Sequence, residues 1–577
     1  MLASWWNDLH GRLWRIMDRP DRLAVQRAAR QVAQVVAAPM PKKHTARGWS
    51  VEQARLLTAL DENGLTRILS SDPRDSAMLL ALSLWELASV DGGAATLSMS
   101  GFLAQMPIHD FGTAEQKDRY LGRDGFRHGA LCLTEPIPGA GADAIFLSGF
   151  VRVAGLGTSG EPMLEVQKRG RFTSHMDFAD FVVAAVSGDG ASLRGSCLMI
   201  LEPGDEGLFE SGPQVRKLGH RLASTTNPAF DLRVPASRII GGYTVENGTL
   251  IPGFDHRQLI EPALRRTRAL LSLMTASKAL STVAAFLTAP KHKCADLQFQ
   301  LRLAELWAAG EAATSLGFSA VRSCDEFDCT RERAAVAGLL PAAAKLFSSS
   351  RLPALLRQVA ACEEYASPVG SSLCEKIIDA QIESMYMGPE ASQRRQLSAA
   401  MVHPGFLREL HDGIAELEAL EQASEQKSIG SFAAGARLWL WTLDQLRHQT
   451  CAHGLRLYSD ARQGVSFAMA DALCELLAAR ALMMDVLALK DQGVSAAADA
   501  LILADLCTLA AGRAAGRVAQ NCAGVLHGYA ERFPVTAEAG KAFDDLQSRL
   551  FISLRGTEDA QLRLAFFLLA ANHPKPA

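Results

Sequence analysis

The stretch IIDAQIESMYMGPEASQRR, residues 377–395, gathers groups that could move a proton near a helix end. Glu383 lies one turn before Met387 and Glu390 three residues after it, spacings that share a helical face if the helix continues. Gly388-Pro389 reads as a stop signal, which separates Glu390 from that face. A carboxylate can take a proton from a substrate carbon, whereas the thioether of Met387 cannot. A third acid, Glu261, stands before Pro262 at what reads as a helix start, where acids are favoured for capping and dipole reasons alone. Glu383 is the first of the three to consider as a base, although for each the plainer reading is a solvated or capping acid.

The elements that must hold such groups are those of an ordinary globular chain. With 577 residues, 48% hydrophobic and 21% charged, it can bury a large core and divide into several domains. A formal net charge of -3 and a pI near 6.5 give no positive field for nucleic acid. The 11 cysteines occur singly without a Cys-x-x-Cys pair, so no metal site and no disulfide framework is expected, and a reducing cytoplasmic setting fits. The opening MLASWWNDLHGRLWRIMDRPDR mixes acid with base and lacks the apolar core of a signal peptide; no later run reads as a membrane span.

Texture divides the chain into four blocks. Residues 1–127 carry helical apolar spacing, as in SAMLLALSLWELASV. Residues 128–243 change to short β-branched runs between Gly, Pro, Asn and Asp, the pattern of an antiparallel barrel or sandwich. Helices return over 244–410, and a polar stretch, ELEALEQASEQKSIG, leads into an Ala- and Leu-rich helical block over 411–577. The fold class is therefore α+β and multidomain. Within the last block, SFAAGARLWLWTLDQLRHQ (431–449) reads as a buried helix; a membrane-surface or partner helix is the sharper alternative, which would make the protein membrane-associated.

Four motifs in order carry a resemblance. FGTAEQKDRYLG (111–122), GALCLTEPIPGAGADA (129–144), KRGRFTSHMDFADFVVAA and KLGHRLASTTNPAFDLRVPASRIIGG resemble the acyl-CoA dehydrogenase family. That resemblance implies a helical N-terminal domain, a β-domain and a four-helix bundle, with further C-terminal helices as in the very-long-chain members. It implies FAD, its ring met by Leu133 and Thr134 and flanked by Phe172 and Ser174. It also implies an acyl thioester of CoA or acyl carrier protein, with Ala142, Thr267, Arg268, Tyr386 and Gly388 at the substrate. IDAQIESMYMGPEASQR resembles the family segment that carries the catalytic glutamate, and Met387 falls on the glutamate. Thr267, before Arg268, stands where other members place the base.

Further departures follow from the same comparison. Ile137-Pro138 lengthens the loop, and Ala142 replaces a serine. KHKCADLQFQ lacks the Arg-x-x-Phe-Gly that contacts FAD from a partner subunit. QVAACEEYASPVGSS replaces the glycine-rich pyrophosphate turn and brings in Glu363 and Glu364, while Lys291, His292 and Lys293 read as a solvated basic turn. Three functions are open at this point: an acyl thioester oxidoreductase with a missing or relocated base; an inactive binding or assembly subunit; and flavin-dependent oxygenation. The partner implied is a second copy, or a related dehydrogenase in a hetero-oligomer.

Overall fold

The computed structural model describes residues 11, 13, 19–40, 50–71, 75–122, 127–136, 146–288, 296–326, 338–362, 368–424, 427–448, 463–491, 497–528 and 535–572. Ala142, Lys291, His292, Lys293, Glu363 and Glu364 lie outside them. The chain forms two compact units: Asp21–Leu270 with Met385–Pro389, and Met1–Pro20 with Leu271–Ser384 and Glu390–Ala577.

In the first of these units, helices Ser76–Val90 and Gly92–Phe111 are apolar nearly all round and almost wholly buried, as such helices must be. Helix Ala114–Leu121 begins with a capping box, in which Thr113 accepts from the Gln116 amide and the Gln116 side chain accepts from the Thr113 amide. The Gln116 side-chain amide also donates to the carbonyls of Ser237 (2.8 Å) and Ile239 (2.7 Å), so the same residue that starts the helix anchors it to the β-domain.

The strands are β1 Gly129–Cys132, β2 Phe150–Leu156, β3 Pro162–Arg169, β4 Thr173–Ser174, β5 Phe181–Gly188, β6 Ser196–Leu201, β7 Glu206–Glu210, β8 Thr225–Thr226, β9 Ala229–Pro235, β10 Tyr243–Glu246 and β11 Thr249–Pro252. The main sheet runs β1-β5-β2-β3-β9-β7, with β6 also on β5. Most pairs are antiparallel, as the texture predicts, but β1 and β2 both run parallel to β5. β5 is correspondingly an unbroken apolar run, Phe181 to Val186, with every one of those residues buried. β3 and β9 alternate instead and turn Leu164, Val166, Leu232 and Val234 into the core. β10 and β11 form a hairpin closed by Asn247-Gly248, both with left-handed φ (49° and 81°), the turn that twisted strands favour.

The other unit is helical. Its elements run from the C-terminal part of His256–Thr288 through Leu297–Glu326, Leu339–Ala360, Pro368–Glu383 and Glu390–Ala400 to the added block of Pro404–Ser424, Lys427–His448, Gln463–Asp491, Ala497–His527, Ala537–Ser553 and Thr557–Asn572. The polar stretch 416–430 supplies the end of Pro404–Ser424 and the start of Lys427–His448, and its Leu417 and Ile429 are buried. In Lys427–His448, Leu438 and Trp439 are fully buried, and the indole N–H of Trp439 donates to the Met469 carbonyl at 2.9 Å. Contrary to the expectation of no membrane-length run, His256–Leu287 is long and apolar enough to cross a bilayer; 83% of its most apolar window is buried in the protein.

Candidate functional site

The residues proposed for the ring of the cofactor come together at the end of the small β4–β8 ladder. Thr134 follows β1, and its carbonyl accepts from the Arg171 amide at 3.0 Å, which sets the next residue, Phe172, beside that loop. Phe172 is 47% exposed with a left-handed φ of 53°; its amide donates to the Asn227 side chain (3.0 Å), and the Arg171 guanidinium lies 4.6 Å from its ring centroid. Ser174 pairs with Thr225 across the ladder, and their hydroxyls are 3.2 Å apart. Lys217 donates to the Thr225 hydroxyl at 3.0 Å, placing a cation one hydrogen bond behind Ser174. Leu133 is buried, and Glu135 forms a buried ion pair with Lys168 while accepting from Ser148. An ammonium and a carboxylate that close together next to Thr134 hold its loop against the strand.

The loop from Gln214 to Thr226 joins this half of the site to a second one. Beyond Lys217 it carries His220, which is buried with a left-handed φ of 54°. His220 Nδ1 lies 3.0 Å from the Thr96 hydroxyl, and that hydroxyl lies 3.4 Å from the hydroxyl of Tyr386. The His220 and Tyr386 rings meet edge to face at 5.7 Å. Helix Gly92–Phe111 explains the placement. Asp91 caps it through the Ala94 amide (2.9 Å) and also pairs with Arg221 at 2.9 Å, so the residue after His220 is tied to the helix start. Gly93 leaves room for this: a Cβ there would stand 2.6 Å from Leu222 N and 2.8 Å from His220 C.

Met387 is half-buried in the segment Met385–Pro389, with left-handed φ values of 56° at Met387 and 84° at Gly388. The helix before it ends at Glu383, so Glu383 and Met387 do not share the continuous face that their spacing suggested. Glu383 instead is buried in the helical unit, where it pairs with Lys278 and accepts from the Thr275 hydroxyl at 2.6 Å. A carboxylate so engaged is a structural ion, and its candidacy as the base ends there. Glu390 pairs with Arg394 at 3.0 Å on its own helix, and Glu261 with Arg268 at 3.2 Å. Thr267 is fully buried and its hydroxyl donates to the Ala263 carbonyl (2.7 Å), the bond of a helix-packing residue.

Among the described residues the non-glycine residues at left-handed φ are Phe172, His175, His220, Asn247 and Met387. Asn247 is the hairpin turn; the other four flank the two half-sites. Strain of this kind costs on the order of 1–3 kcal/mol per residue and persists where surrounding structure imposes it, commonly at functional sites. Sequence reasoning passed over Thr96, Lys217 and His220, although His220 stands openly within KLGHRL. Nothing local pairs it with Thr96, 124 residues away.

His175 is the most deeply buried of the four. It is 1% exposed, neither ring nitrogen has a hydrogen-bond partner, and the His128 ring lies 5.5 Å away. Burial pushes its pKa down to about 3, and the neighbouring His128 adds to the effect. Between the ordinary value of 6.5 and about 3 the unfolded chain binds a proton that the folded one does not. Stability is therefore complete above 6.5 and falls as pH drops, by about 1.4 kcal/mol per unit from this residue. His175→Asn keeps a side chain that tolerates left-handed backbone and removes the titration. Between pH 7 and pH 4.5 the variant is expected to lose on the order of 2–3 kcal/mol less stability than the parent in urea titrations; equal losses would show that His175 is not a source of acid sensitivity.

Known proteins share this architecture. The family profile described as "Acyl-CoA dehydrogenase, N-terminal domain" matches residues 19–123. The short-chain-specific acyl-CoA dehydrogenase of Megasphaera elsdenii is 34% identical over 177 residues, 30% of this chain and 44% of that protein, so the match spans less than half the length of that relative. Among solved structures, an acyl-CoA dehydrogenase complexed with FAD from Bacillus anthracis has a TM-score of 0.75 at 17% identity over 96% of this chain and 95% of that one. The butyryl-CoA dehydrogenase of Megasphaera elsdenii has a TM-score of 0.54 at 20% identity, covering 67% of this chain and 98% of its own. At these identities the structural likeness establishes the fold, including the helices after residue 411 in the first case. Profile, aligned relative and fold agree in direction: residues 19–123 match the acyl-CoA dehydrogenase N-terminal domain, and the chain as a whole has the fold of the acyl-CoA dehydrogenases.

Proposed function

We propose that this protein binds FAD against Thr134, Phe172 and Ser174 and an acyl thioester beside Tyr386, Met387 and Gly388, and that it oxidises the thioester without a carboxylate at the usual position. The observation that carries the reading is the assembled ring side of the site. Phe172 leaves a flat apolar face open, Ser174 and Thr225 offer hydroxyls, and Lys217 adds positive charge behind them. These groups fit a flat heterocycle that gains negative charge on reduction. FAD, when bound, would supply the acceptor for hydride from the acyl chain. The chain's own contribution is to hold the ring edge with the Thr134 loop, to keep Phe172 against its face, and to place Tyr386 at the thioester.

The relatives support the substrate class: a short-chain acyl-CoA dehydrogenase and a butyryl-CoA dehydrogenase are among them. The carrier is CoA or acyl carrier protein, and the assembly is a homodimer or a hetero-oligomer with a related dehydrogenase. Met387 favours one further reading, flavin-dependent oxygenation, which needs no α-proton base. The visible absorbance of the purified protein tests the cofactor assignment. Flavin absorbance that survives dialysis, or returns when FAD is added, is the expected result. A colourless protein that ignores added FAD would overturn it and favour a binding or assembly subunit.

A further inference from the structure

We infer that Tyr386, Thr96 and His220 form a proton relay that serves the site in place of the carboxylate absent at Met387. The inference rests on the proposed acyl thioester site and concerns only the proton. Thr96 stands between the other two, with its hydroxyl 3.0 Å from His220 Nδ1 and 3.4 Å from the Tyr386 hydroxyl. The second distance is long for a hydrogen bond, as catalytic bonds commonly are before substrate closes the site. With the ring proton on Nε2, Nδ1 of His220 is an acceptor aimed at Thr96.

The transfer balances without any redox partner. A C–H bond at the thioester α-carbon breaks, and its electron pair stays on the substrate as the enolate. The proton moves to the Tyr386 oxygen as the phenolic proton moves to Thr96 Oγ1, and the Thr96 proton moves to Nδ1 of His220. The products are an enolate and an imidazolium.

Three observations make this more than packing. Tyr386 immediately precedes Met387, the position where the carboxylate is missing. His220 holds a left-handed backbone, and it is kept there by the Arg221–Asp91 pair and by the missing side chain of Gly93. The loop that carries His220 also carries Thr225, which meets Ser174, so one segment ties the relay to the proposed ring site. Hydroxyls and imidazole in series conduct protons only when their lone pairs and hydrogens alternate, and this chain meets that condition in a single tautomer.

The test separates proton removal from oxidation by using a 3-oxoacyl-CoA, whose acidic α-proton can leave without hydride transfer and whose bound enolate absorbs in the near ultraviolet. The parent is expected to develop the enolate band on binding. Thr96→Val, Tyr386→Phe and His220→Asn are each expected to slow formation of the band by at least about 10²-fold, the low side of what a proton-transfer group contributes. Asparagine tolerates the left-handed backbone at position 220. Adding Met387→Glu to His220→Asn is expected to restore fast formation of the band, which a merely misfolded variant could not do. The relay is overturned if His220→Asn binds the ligand as the parent does and forms the band as fast. It is also overturned if the parent binds without forming the band while Met387→Glu forms it; the proposed site then stands. If neither the parent nor Met387→Glu binds the ligand, the proposed function itself fails and the relay with it.

Discussion

Met387→Glu is expected to accelerate the anaerobic bleaching of FAD-loaded protein by a saturated acyl-CoA by about 10² to 10⁴-fold, the range a positioned general base contributes. The lower end applies if the relay through Tyr386 already removes the proton slowly. The backbone is prepared for the change: Met387 already holds a φ of 56°, and glutamate, also unbranched at Cβ, pays the same conformational cost. Half-burial at that position raises the pKa of a new carboxylate by desolvation, which makes it a stronger base than a solvated one. Stopped-flow absorbance of parent and variant at saturating acyl-CoA gives the comparison. Equal rates would mean that position 387 does not face the α-carbon. If neither protein bleaches although both hold FAD and acyl-CoA, oxidation is the wrong chemistry and oxygenation becomes the next assay.

Removing Glu383 should act on stability and leave the proton chemistry alone. Lys278 and Glu383 are each 1% exposed at the side chain, and Thr275 supplies a further hydrogen bond to the carboxylate. Glu383→Ala strands an ammonium in the helical interior, a change that typically costs about 3–5 kcal/mol. Glu383→Leu combined with Lys278→Met replaces the pair by apolar groups of similar length and should return most of that loss. Thermal or urea denaturation of the single and double variants measures both effects. The double variant carrying Met387→Glu as well should bleach FAD at the rate of Met387→Glu alone. A loss of that rate would reinstate Glu383 as a participant in the reaction.

Much of the fold can be read from the chain because the signals are local. The capping box at Thr113 and Gln116, the alternation in β3 and β9, the unbroken apolar run of β5 and the Asn247-Gly248 turn each follow from a few neighbouring residues. Thr134, Phe172 and Ser174 come forward as candidates for the ring side because they occur in short segments whose order resembles a known family. Where local reading failed, a distant partner was the cause. The spacing of Glu383 and Met387 suggested a shared face, but the helix stops at Glu383, whose charge is taken by Lys278, 105 residues earlier. The stretch 416–430 is polar in composition, yet tertiary packing uses its apolar positions, burying Leu417 and Ile429.

The sequence by itself determined which chemistry is absent from position 387, because a thioether accepts no proton in any fold. It also determined the sheet-and-helix succession, since periodicity and turn residues act over a few positions. Only the tertiary structure decided which polar groups stand near that position. Thr96, His220 and Tyr386 come from three separate segments, and each alone reads as an ordinary packing or loop residue. What joins them is the helix cap at Asp91 with its bond to Arg221, together with the close approach that Gly93 permits. The strained backbone at Phe172, His175, His220 and Met387 was equally invisible beforehand: residue type sets what a left-handed φ costs, but only the surrounding contacts decide where that cost is borne.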